Sequence, residues 1–381
     1  MEGLALDDRY VAHCGSAIAQ TISRRSVERW GVGQVTAIVG RHKNLTSVLE
    51  QAARFASSES PVLITGETGT GKELFARAIY LLSNRRKGEF ISVNCAQYQE
   101  SQLMASELFG HRRGSFTGAV AEHRGIFEAA EGGMVFLDEV GELTVTAQAM
   151  LLRLLGEGEI VPVGSVRARR VNVRMVVATN RNLRKMVDEG RFRSDLYFRL
   201  RHLQLRVPPV RERGDDWQLI LAYYLAQLAE SGAGTKRFSS EAMEVLGLHQ
   251  WPGNVREIRG VVDTGFHLSE GEIIEASAFA QSLEEVSRIE QIAAVPFRAP
   301  PPRSVFSRIA NQEGTFWELV HQPYLERELN RQQVREIVAQ GLAQTGWSYK
   351  KLLHLFGVAT DDYLRFMDFL RHHRLKPTRP P

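Results

Sequence analysis

The sequence predicts an α/β fold with a parallel sheet, followed by an all-helical lid and a small C-terminal helical domain. Apolar runs of strand length alternate with helical stretches from Val39 onward, which indicates a parallel sheet covered on both faces. A glycine-rich turn at residues 66–71 joins one of these runs to a helix. From about Arg211 the apolar pattern has only the helical period, and Asp215 and Asp216 suit the N-cap of the first helix there.

Length and composition limit the class of protein. With 381 residues the chain is longer than one hydrophobic core usually serves, so two or three domains are expected. No apolar run approaches the ~20 residues that cross a bilayer, and the start shows no signal-peptide core. Two cysteines, Cys14 and Cys95, provide no disulfide framework and indicate a reducing compartment, so a cytoplasmic protein is expected. The net charge of +4 permits nucleic-acid contact without requiring it.

The α/β part is expected to contain four buried strands and the helices between them. Each strand is a short apolar run, and each helix shows an apolar stripe at helical spacing. The predicted strands are Val62–Thr65, Phe90–Asn94, Met134–Asp138 and residues 173–178. The predicted helices include residues 45–56, Lys72–Leu82 and residues 146–156.

The turn after the first strand reads GETGTGKE and has the arrangement of a P-loop: strand, glycine loop, lysine, helix. Glycines let backbone N–H groups turn towards phosphate oxygens, and the helix N-terminus adds the positive end of its dipole. Lys72 would reach the β- and γ-phosphates, while Glu73 replaces the usual Ser or Thr. The candidate nucleotide-binding residues here are Gly66, Glu67, Thr68, Gly69, Thr70, Gly71, Lys72 and Glu73.

A second motif, MVFLDE, is an apolar strand that ends in two carboxylates, Asp138 and Glu139. This is a Walker B pattern, in which Asp138 would hold magnesium and Glu139 would polarise the attacking water. Together with the phosphate loop it predicts a nucleoside triphosphatase. A third strand ends at Thr179 and Asn180, where a γ-phosphate could be sensed.

Three arginines suggest sites shared between subunits. Arg193 and Arg199 lie in an arginine-dense stretch near the end of the α/β part, where they suit fingers that reach into a neighbouring subunit. Arg256 lies in the first turn of a lid helix, where a cation is disfavoured unless an anion is near. That helix is predicted to open at Asn254 with Glu257 in a capping box. These arginines together indicate a ring ATPase.

Residues 107–119, ELFGHRRGSFTGA, place an aromatic residue among glycines at the expected tip of a flexible loop. An exposed phenylalanine at such a tip indicates a partner. With this loop the chain resembles the AAA+ domain of the bacterial enhancer-binding proteins, which activate sigma-54 RNA polymerase. Their loop reads GAFTGA, and their phosphate loop shares the GETGTGKE form, with a glutamate after the lysine. The resemblance covers roughly residues 38–285.

The resemblance implies an ATP- and Mg²⁺-dependent ring, expected to be a hexamer, that converts the closed promoter complex of the sigma-54 holoenzyme to the open one. It makes Asn94 a switch that restrains Glu139, and it places Asn180 at sensor I and Arg256 at sensor II. The candidate catalytic residues are then Asp138, Glu139, Asn94, Arg193 and Arg199. The candidate sigma-54 contacts are Gly114, Ser115, Phe116, Thr117, Gly118 and Ala119, with Ser115 where the family has alanine.

The expected domains are an N-terminal helix or linker at 1–37, the ATPase subdomain at 38–210, the lid at 211–285, a proline-rich linker at 286–314 and a helical domain at 315–381. A helix over residues 10–30 resembles the end of a GAF-type sensory domain, or is a frayed extension. The last domain, with helices at 326–343, 349–356 and 361–373, has the outline of a Fis-like helix-turn-helix. Carboxylates at Asp361 and Asp362 oppose DNA binding, so enhancer DNA and protein packing both remain open.

Two alternative functions belong to other classes. One is an AAA+ ATPase that remodels another protein target without binding DNA, and the GSFTGA loop argues against it. The other is a DNA-binding regulator that uses ATP only to oligomerise, which the intact pair of Asp138 and Glu139 disfavours.

Overall fold

A computed structural model of the chain describes residues 14–98, 101–116, 119–230, 234–283, 305–306, 308–309, 314–325, 329, 331–373 and 375–377. Its strands are β1 Val62–Thr65, β2 Phe90–Asn94, β3 Met134–Asp138, β4 Glu159–Ile160, β5 Arg169–Arg170, β6 Arg174–Thr179, β7 Leu203–Arg206, β8 Arg237–Phe238 and β9 Ile273–Ile274. Five of them form the central, all-parallel sheet in the order β2-β3-β6-β1-β7, and the four short strands β4, β5, β8 and β9 lie outside it.

Helices cover both faces of the sheet and form the lid and the C-terminal unit. In chain order they are α1 Ala17–Trp30, α2 Lys43–Ala56, α3 Lys72–Leu82, α4 Ser101–Phe109, α5 Ile126–Ala129, α6 Val145–Glu157, α7 Leu183–Asp188, α8 Ser194–Leu200, α9 Asp216–Leu228, α10 Ser240–Leu248, α11 Asn254–Leu268, α12 Gln322–Leu325, α13 Arg331–Gln344, α14 Tyr349–Leu355 and α15 Tyr363–His372.

The predicted parallel α/β fold is confirmed, with small changes in its elements. Three strands have their predicted bounds, and the fourth is β6, one residue later than predicted. Strand β7 was missed because it lies at the sheet edge, where only Leu205 of its four residues is buried. Such a short, half-exposed strand lacks the apolar run that marked the other four.

Strand register brings the functional segments to one edge of the sheet. Asn94 pairs with Asp138, and Thr65 pairs with Thr179. Since the strands are parallel, the loops that follow them leave the sheet at its carboxyl edge. The phosphate loop after β1, the acidic pair after β3 and Asn180 after β6 therefore share this edge.

Helix α1 packs onto the ATPase core. Ser16 caps its first turn, whereas the predicted residues 10–13 lie outside the described part of the chain. Ile22 is fully buried in the core cluster that contains β1 and α3. Trp30 stacks on Tyr80 with ring centroids 5.8 Å apart, and Arg29 donates a hydrogen bond to the Tyr80 hydroxyl. The helix is thus attached to α3, which begins at the phosphate loop.

The lid is built around α9, α10 and α11, with Trp217 and Trp251 in its core. The expectation of an all-helical lid is corrected by a short parallel pair, β8 and β9. Asp215 and Asp216 were predicted as N-caps, but neither side chain caps α9. Instead the buried Asp216 carboxylate accepts hydrogen bonds from the Arg41 and His42 N–H groups. It binds the lid to the segment that precedes α2.

The C-terminal residues 289–381 form a separate compact unit. The predicted first helix is observed as α13, and residues 326–328 and 330 lie outside the described part. Phe366, Met367 and Phe369 are buried in the core of this unit and are therefore not available to read DNA. Asp361 and Asp362, whose carboxylates oppose DNA binding, lie in a 3₁₀ turn, Thr360–Asp362, ahead of α15. DNA binding by this unit stays a prediction.

Among the described residues, the helices are too short or too polar to span a bilayer. Cys14 and Cys95 are both buried, and neither forms a disulfide. Burial raises the pKa of the Cys14 thiol to about 11 and that of Cys95 to about 12.

Candidate active site

The phosphate loop, residues 66–71, connects β1 to α3. Gly69 and Gly71 have φ angles of 78° and 92°, which residues with a side chain rarely adopt, and Gly71 precedes the first turn of α3. The buried Thr70 hydroxyl donates to the Glu67 carbonyl oxygen at 2.8 Å, which tightens the loop. The local sequence thus forms the predicted glycine turn between strand and helix, and its role in phosphate binding stays a prediction.

Lys72 lies against this loop and is only 7% exposed. Its Nζ donates to the carbonyl oxygens of Gly66 and Glu67 at 3.1 and 3.2 Å. Burial lowers the pKa of the Lys72 ammonium, and the negative charges of Glu139 and Asp138 oppose that shift. The lysine therefore stands between the phosphate loop and the acidic pair, as a phosphate ligand must.

Glu139 follows β3 in a strained backbone conformation. Its φ and ψ are 52° and 50°, a left-handed geometry that costs about 1–3 kcal/mol outside glycine. Its N–H donates to the Asp138 carboxylate at 3.0 Å. Because of this left-handed turn, the Asp138 and Glu139 carboxylates point in directions that differ from those in a regular strand. The strained backbone of Glu139 is therefore part of the site's geometry.

Asn180, which follows β6, contacts the two other predicted motifs, the phosphate loop and the acidic pair. Its side-chain N–H₂ donates to the Thr68 hydroxyl at 2.9 Å, and its backbone N–H donates to the Glu139 carboxylate at 3.4 Å. A polar residue after β6 thus touches both the phosphate loop and the acidic residue after β3. The position suits a group that responds to the nucleotide's terminal phosphate.

Asn94 and the two finger arginines make other contacts. The Asn94 side chain accepts from the Ala96 N–H at 2.9 Å, and within the described residues it makes no hydrogen bond with Glu139. Arg193 forms an ion pair with Asp195, and Arg199 donates to the Leu155 carbonyl oxygen. The predicted roles of these three residues remain predictions.

Arg199 also lines a surface cavity of about 750 Å³ between α6 and α8, together with the exposed Phe198. The residues around this cavity do not include Lys72, Asp138 or Glu139.

Arg256 and the lid approach the phosphate loop from the other side. A Cβ built on Gly69 would lie 3.2 Å from the Arg256 Cβ, and the charge of Arg256 lowers the pKa of Lys72 slightly. The predicted capping box at Asn254 is corrected. Glu257 accepts from the Gly253 N–H, whereas the Asn254 side chain contacts the phosphate loop.

A small apolar slot lies between residues 37–39, the phosphate loop and the lid. It measures about 40 Å³ and is lined in part by Ile38, Leu74, Ile220, Tyr223 and Tyr224. That is little more than the ~30 Å³ share of one water molecule. Sequence analysis missed this slot, although the short apolar run at residues 35–39 is a local signal for it.

The contact loop, residues 114–119, is described except for Thr117 and Gly118. The Gly114 N–H donates to the Ala119 carbonyl oxygen at 2.8 Å, which closes the loop. Phe116 was expected at an exposed tip, but it is half-buried and meets the His111 ring edge-on at 5.0 Å. The His111 ring in turn stacks on His123 and bonds to the Ser106 hydroxyl at 2.6 Å.

Ser115 packs against Gly164 of the loop that follows β4. A Cβ built on Gly164 would lie 2.5 Å from the Ser115 Cβ, so the two segments are in close contact. The Ser115 hydroxyl oxygen is buried without a hydrogen-bond partner among the described residues. An orphaned hydroxyl of this kind weakens the docked position of the loop.

Comparison with known protein families identifies the two domains that carry this site. Residues 38–206 match the model of the sigma-54 interaction domain, and residues 211–294 match that of the AAA+ ATPase lid domain. Residues 38–206 are thus a sigma-54 interaction domain and residues 211–294 an AAA+ lid, the pair of domains that sigma-54-dependent activators carry.

Curated members of the sigma-54-dependent activators resemble this chain closely over the same region. The nitric oxide reductase transcription regulator NorR2 of Cupriavidus necator is 49% identical over 226 residues, 59% of this chain and 43% of that protein. The transcriptional regulatory protein GlrR of Escherichia coli is 44% identical over 258 residues, 68% of this chain and 57% of that protein. The chain thus spans about half the length of these relatives.

A solved structure shows the same architecture. The crystal structure of NtrX from Brucella abortus in complex with ATP superimposes with a TM-score of 0.59 at 27% identity, covering 87% of this chain and 69% of that one. Its ADP complex gives a TM-score of 0.61 at 25% identity. The AAA+ assignment supports ATP binding and ATPase activity in general for this fold.

Proposed function

We propose that the chain hydrolyses ATP and uses the hydrolysis cycle to change the position of the contact loop on sigma-54, which opens the promoter complex. The observation that carries the proposal is the contact of Asn180 with both Thr68 and Glu139, because it links the phosphate loop to the acidic pair. A site so linked can transmit the presence of a γ-phosphate beyond the loop itself.

The residues present fit Mg²⁺–ATP. The glycine loop, the buried Lys72 and the N-terminus of α3 form a cradle for anionic oxygen atoms, and Asp138 offers the oxygen ligand that Mg²⁺ prefers. Bound Mg²⁺–ATP supplies the phosphoanhydride bond that is cleaved. Lys72 would bind phosphate oxygens, Asp138 would hold the ion, and Glu139 would orient the attacking water.

Nucleotide binding would require the lid to move. The apolar slot beside Ile38 suits an adenine ring in chemistry, but at about 40 Å³ it is too small for one. Tyr223 and Tyr224 on α9 would move away from residues 37–39 to admit the base. The nucleotide would then contact the loop and the lid at the same time.

Arg193 and Arg199 would act in a neighbouring subunit of a ring. Their contacts here are with Asp195 and the Leu155 carbonyl, on the face that carries the large cavity. An arginine supplied across an interface typically contributes ~10³–10⁵ in rate. The hydrolysis site would then be complete only in the assembled ring.

The contact loop would engage sigma-54 by releasing Phe116 from His111. The half-buried ring is held by one edge-to-face aromatic contact, worth about 0.5–1.5 kcal/mol beyond its buried area. A nucleotide state that favours release therefore needs only a modest differential free energy.

The direct test is co-elution of the purified chain with sigma-54 in the presence of ADP and a metal-fluoride mimic of the γ-phosphate. We expect a complex with the wild type and none with Phe116→Ala. No complex from a wild type that hydrolyses ATP would overturn sigma-54 as the partner and favour the alternative, remodelling of another protein. Absence of hydrolysis would overturn the ATPase assignment itself.

A further inference from the structure

Four consecutive residues of the phosphate loop, Glu67 to Thr70, are each held by at least one contact from the lid. Arg211 forms an ion pair with the Glu67 carboxylate, and one of its nitrogens lies 2.7 Å from a Glu67 oxygen. The other three contacts go to backbone carbonyl oxygens and are Asn254 Nδ2 to Thr68 at 3.1 Å, Val255 N to Gly69 at 3.0 Å, and Arg213 Nη2 to Thr70 at 3.1 Å. We call Arg211, Arg213, Asn254 and Val255 the lid clamp.

The lid clamp fixes the direction of the loop's N–H groups. In a planar trans peptide the C=O and N–H bonds point in opposite directions. The carbonyls of Thr68, Gly69 and Thr70 are directed to the lid, so the N–H groups of the residues that follow each are directed away from it. One of these N–H groups, that of Thr70, makes only a long 3.4 Å contact within the loop. Phosphate-binding donors are thus preoriented from outside.

Asn254 is built for this contact. It is fully buried and has a φ of 55°, so its backbone is strained to present the side chain. Its Oδ1 accepts from the Val210 N–H at 2.8 Å, while Nδ2 donates to Thr68 and Glu67. The amide thereby connects the segment entering the lid, the lid helix and the phosphate loop, with its donors and its acceptor all in use.

The backbones also approach closely at this point. A Cβ built on Gly69 would lie 2.2 Å from the Gly253 carbonyl oxygen, so only glycine permits the contact. Gly69 therefore serves the lid as well as the phosphate turn. A displacement of the α11 N-terminus would therefore act directly on the phosphate loop.

Charge compensation is part of the arrangement. Glu67 places a carboxylate within the loop that is to receive phosphates, and its hydrogen bonds to Arg211 hold the Glu67 pKa below its ordinary value. Asn254 adds a further hydrogen bond to the same carboxylate. Removal of Arg211 alone would leave the negative charge of Glu67 beside the anion site, whereas removal of both Arg211 and the Glu67 charge would not.

We propose that Asn254 is a positioning residue that sets the phosphate-binding geometry of the loop through the lid clamp, with the Glu67–Arg211 pair as its electrostatic partner. This inference rests on the proposed nucleotide function. Because the slot for the base requires lid movement, the same clamp makes phosphate affinity depend on lid position.

The test compares three variants by hydrogen exchange without nucleotide and by titration with the fluorescent analogue mant-ADP. Asn254→Gly removes the side chain but tolerates the positive φ. Asn254→Asp keeps the acceptor for Val210 and places an oxygen against Thr68. Ser239→Ala is the matched control, since it removes the cap of another lid helix, α10, whose hydrogen bond goes to the Ala242 N–H and not to the phosphate loop.

We expect faster exchange in peptides covering residues 66–71, and at least about ten-fold weaker mant-ADP binding, for both Asn254 variants. Ser239→Ala should stay within about three-fold of the wild type. Equal exchange and equal affinity in all variants would overturn the proposal. A wild type that fails to bind mant-ADP would instead overturn the nucleotide function, while the exchange comparison would still decide the clamp.

A double-mutant cycle on the Glu67–Arg211 pair separates the electrostatic role from a loss of folding. Arg211→Met should weaken mant-ADP binding by about ten-fold or more, and Glu67→Gln combined with Arg211→Met should recover most of that loss. Additive losses in the double variant would show that Arg211 acts by packing alone and would contradict the electrostatic role.

Discussion

The phosphate loop and the contact loop are both short, glycine-bearing loops, but the structure holds them differently. The phosphate loop receives contacts from the lid at four successive residues, and Lys72 adds two more hydrogen bonds to its carbonyls. The contact loop is closed by its own backbone, and its Ser115 hydroxyl is buried with no hydrogen-bond partner in the described part of the chain.

The difference teaches how one chain can bind a ligand firmly and still move a surface. Each clamp hydrogen bond contributes about 0.5–1.5 kcal/mol, so several together make the phosphate loop a preorganised site. The contact loop instead carries a buried polar group whose cost favours release. Five substitutions sharpen this contrast, taken from the largest expected effect to the smallest.

Lys72→Ala should have the largest effect. It removes the ammonium that faces Asp138 and Glu139, and we expect nucleotide affinity to fall by about 10–100-fold, because a hydrogen bond to a charged group contributes about 1.5–3 kcal/mol. Calorimetric titration with ATP measures this. Lys43→Ala is the matched control because Lys43 is also the first residue of a helix but is exposed. Retained affinity in Lys72→Ala would contradict the site assignment.

Phe116→Ala should abolish sigma-54 capture and leave basal ATP hydrolysis within about three-fold, because the phosphate loop and its clamp are unchanged. Val120→Ala, with a 78% exposed side chain just beyond the contact loop, serves as the control. Parallel loss of capture and hydrolysis in Phe116→Ala would show that the two loops are not independent.

Much of the α/β fold could be predicted because its signals are local. Val62–Thr65 and Met134–Asp138 are apolar runs next to diagnostic turns, and a run followed by GETGTGK leaves few alternatives. The same local rules assigned the Walker residues, whose roles remain predictions.

The remaining features depend on distant contacts. Asp216 and Asn254 have the composition of helix caps, and sequence rules therefore assigned them to their own helices. The folded chain instead directs Asp216 to Arg41, 175 residues away, and Asn254 to Thr68, 186 residues away. Phe116 was likewise predicted to be exposed, since nothing nearby in sequence shows that His111 would cover it. Tertiary partners of polar groups have no short-range signature.

Two glycine substitutions test the two loops in parallel. Gly69→Ala would place a Cβ 2.2 Å from the Gly253 carbonyl, so we expect the lid to be displaced and mant-ADP affinity to fall by about ten-fold. Gly164→Ala would place a Cβ 2.5 Å from the Ser115 Cβ, so we expect the contact loop to be freed.

For Gly164→Ala, the expected result is sigma-54 capture that no longer depends on the γ-phosphate mimic, with hydrolysis unchanged. Adding Ser115→Gly removes the clashing Cβ but not the strain of alanine at the Gly164 φ of 76°, so we expect it to restore the dependence in part. If each glycine variant affected both mant-ADP affinity and capture, the contrast between the loops would fail.

Ser115→Ala should have the smallest effect and the opposite sign. Deleting a buried hydroxyl that lacks a partner removes a desolvation cost of about 1 kcal/mol from the docked loop, which corresponds to roughly five-fold in the docked-to-released ratio. We therefore expect slower hydrogen exchange of the Gly114 and Ala119 amides, and sigma-54 capture reduced by up to about five-fold at unchanged ATP affinity. Faster exchange would mean that the hydroxyl stabilises the docked loop. The serine would then hold the loop in place, where the family's alanine could not.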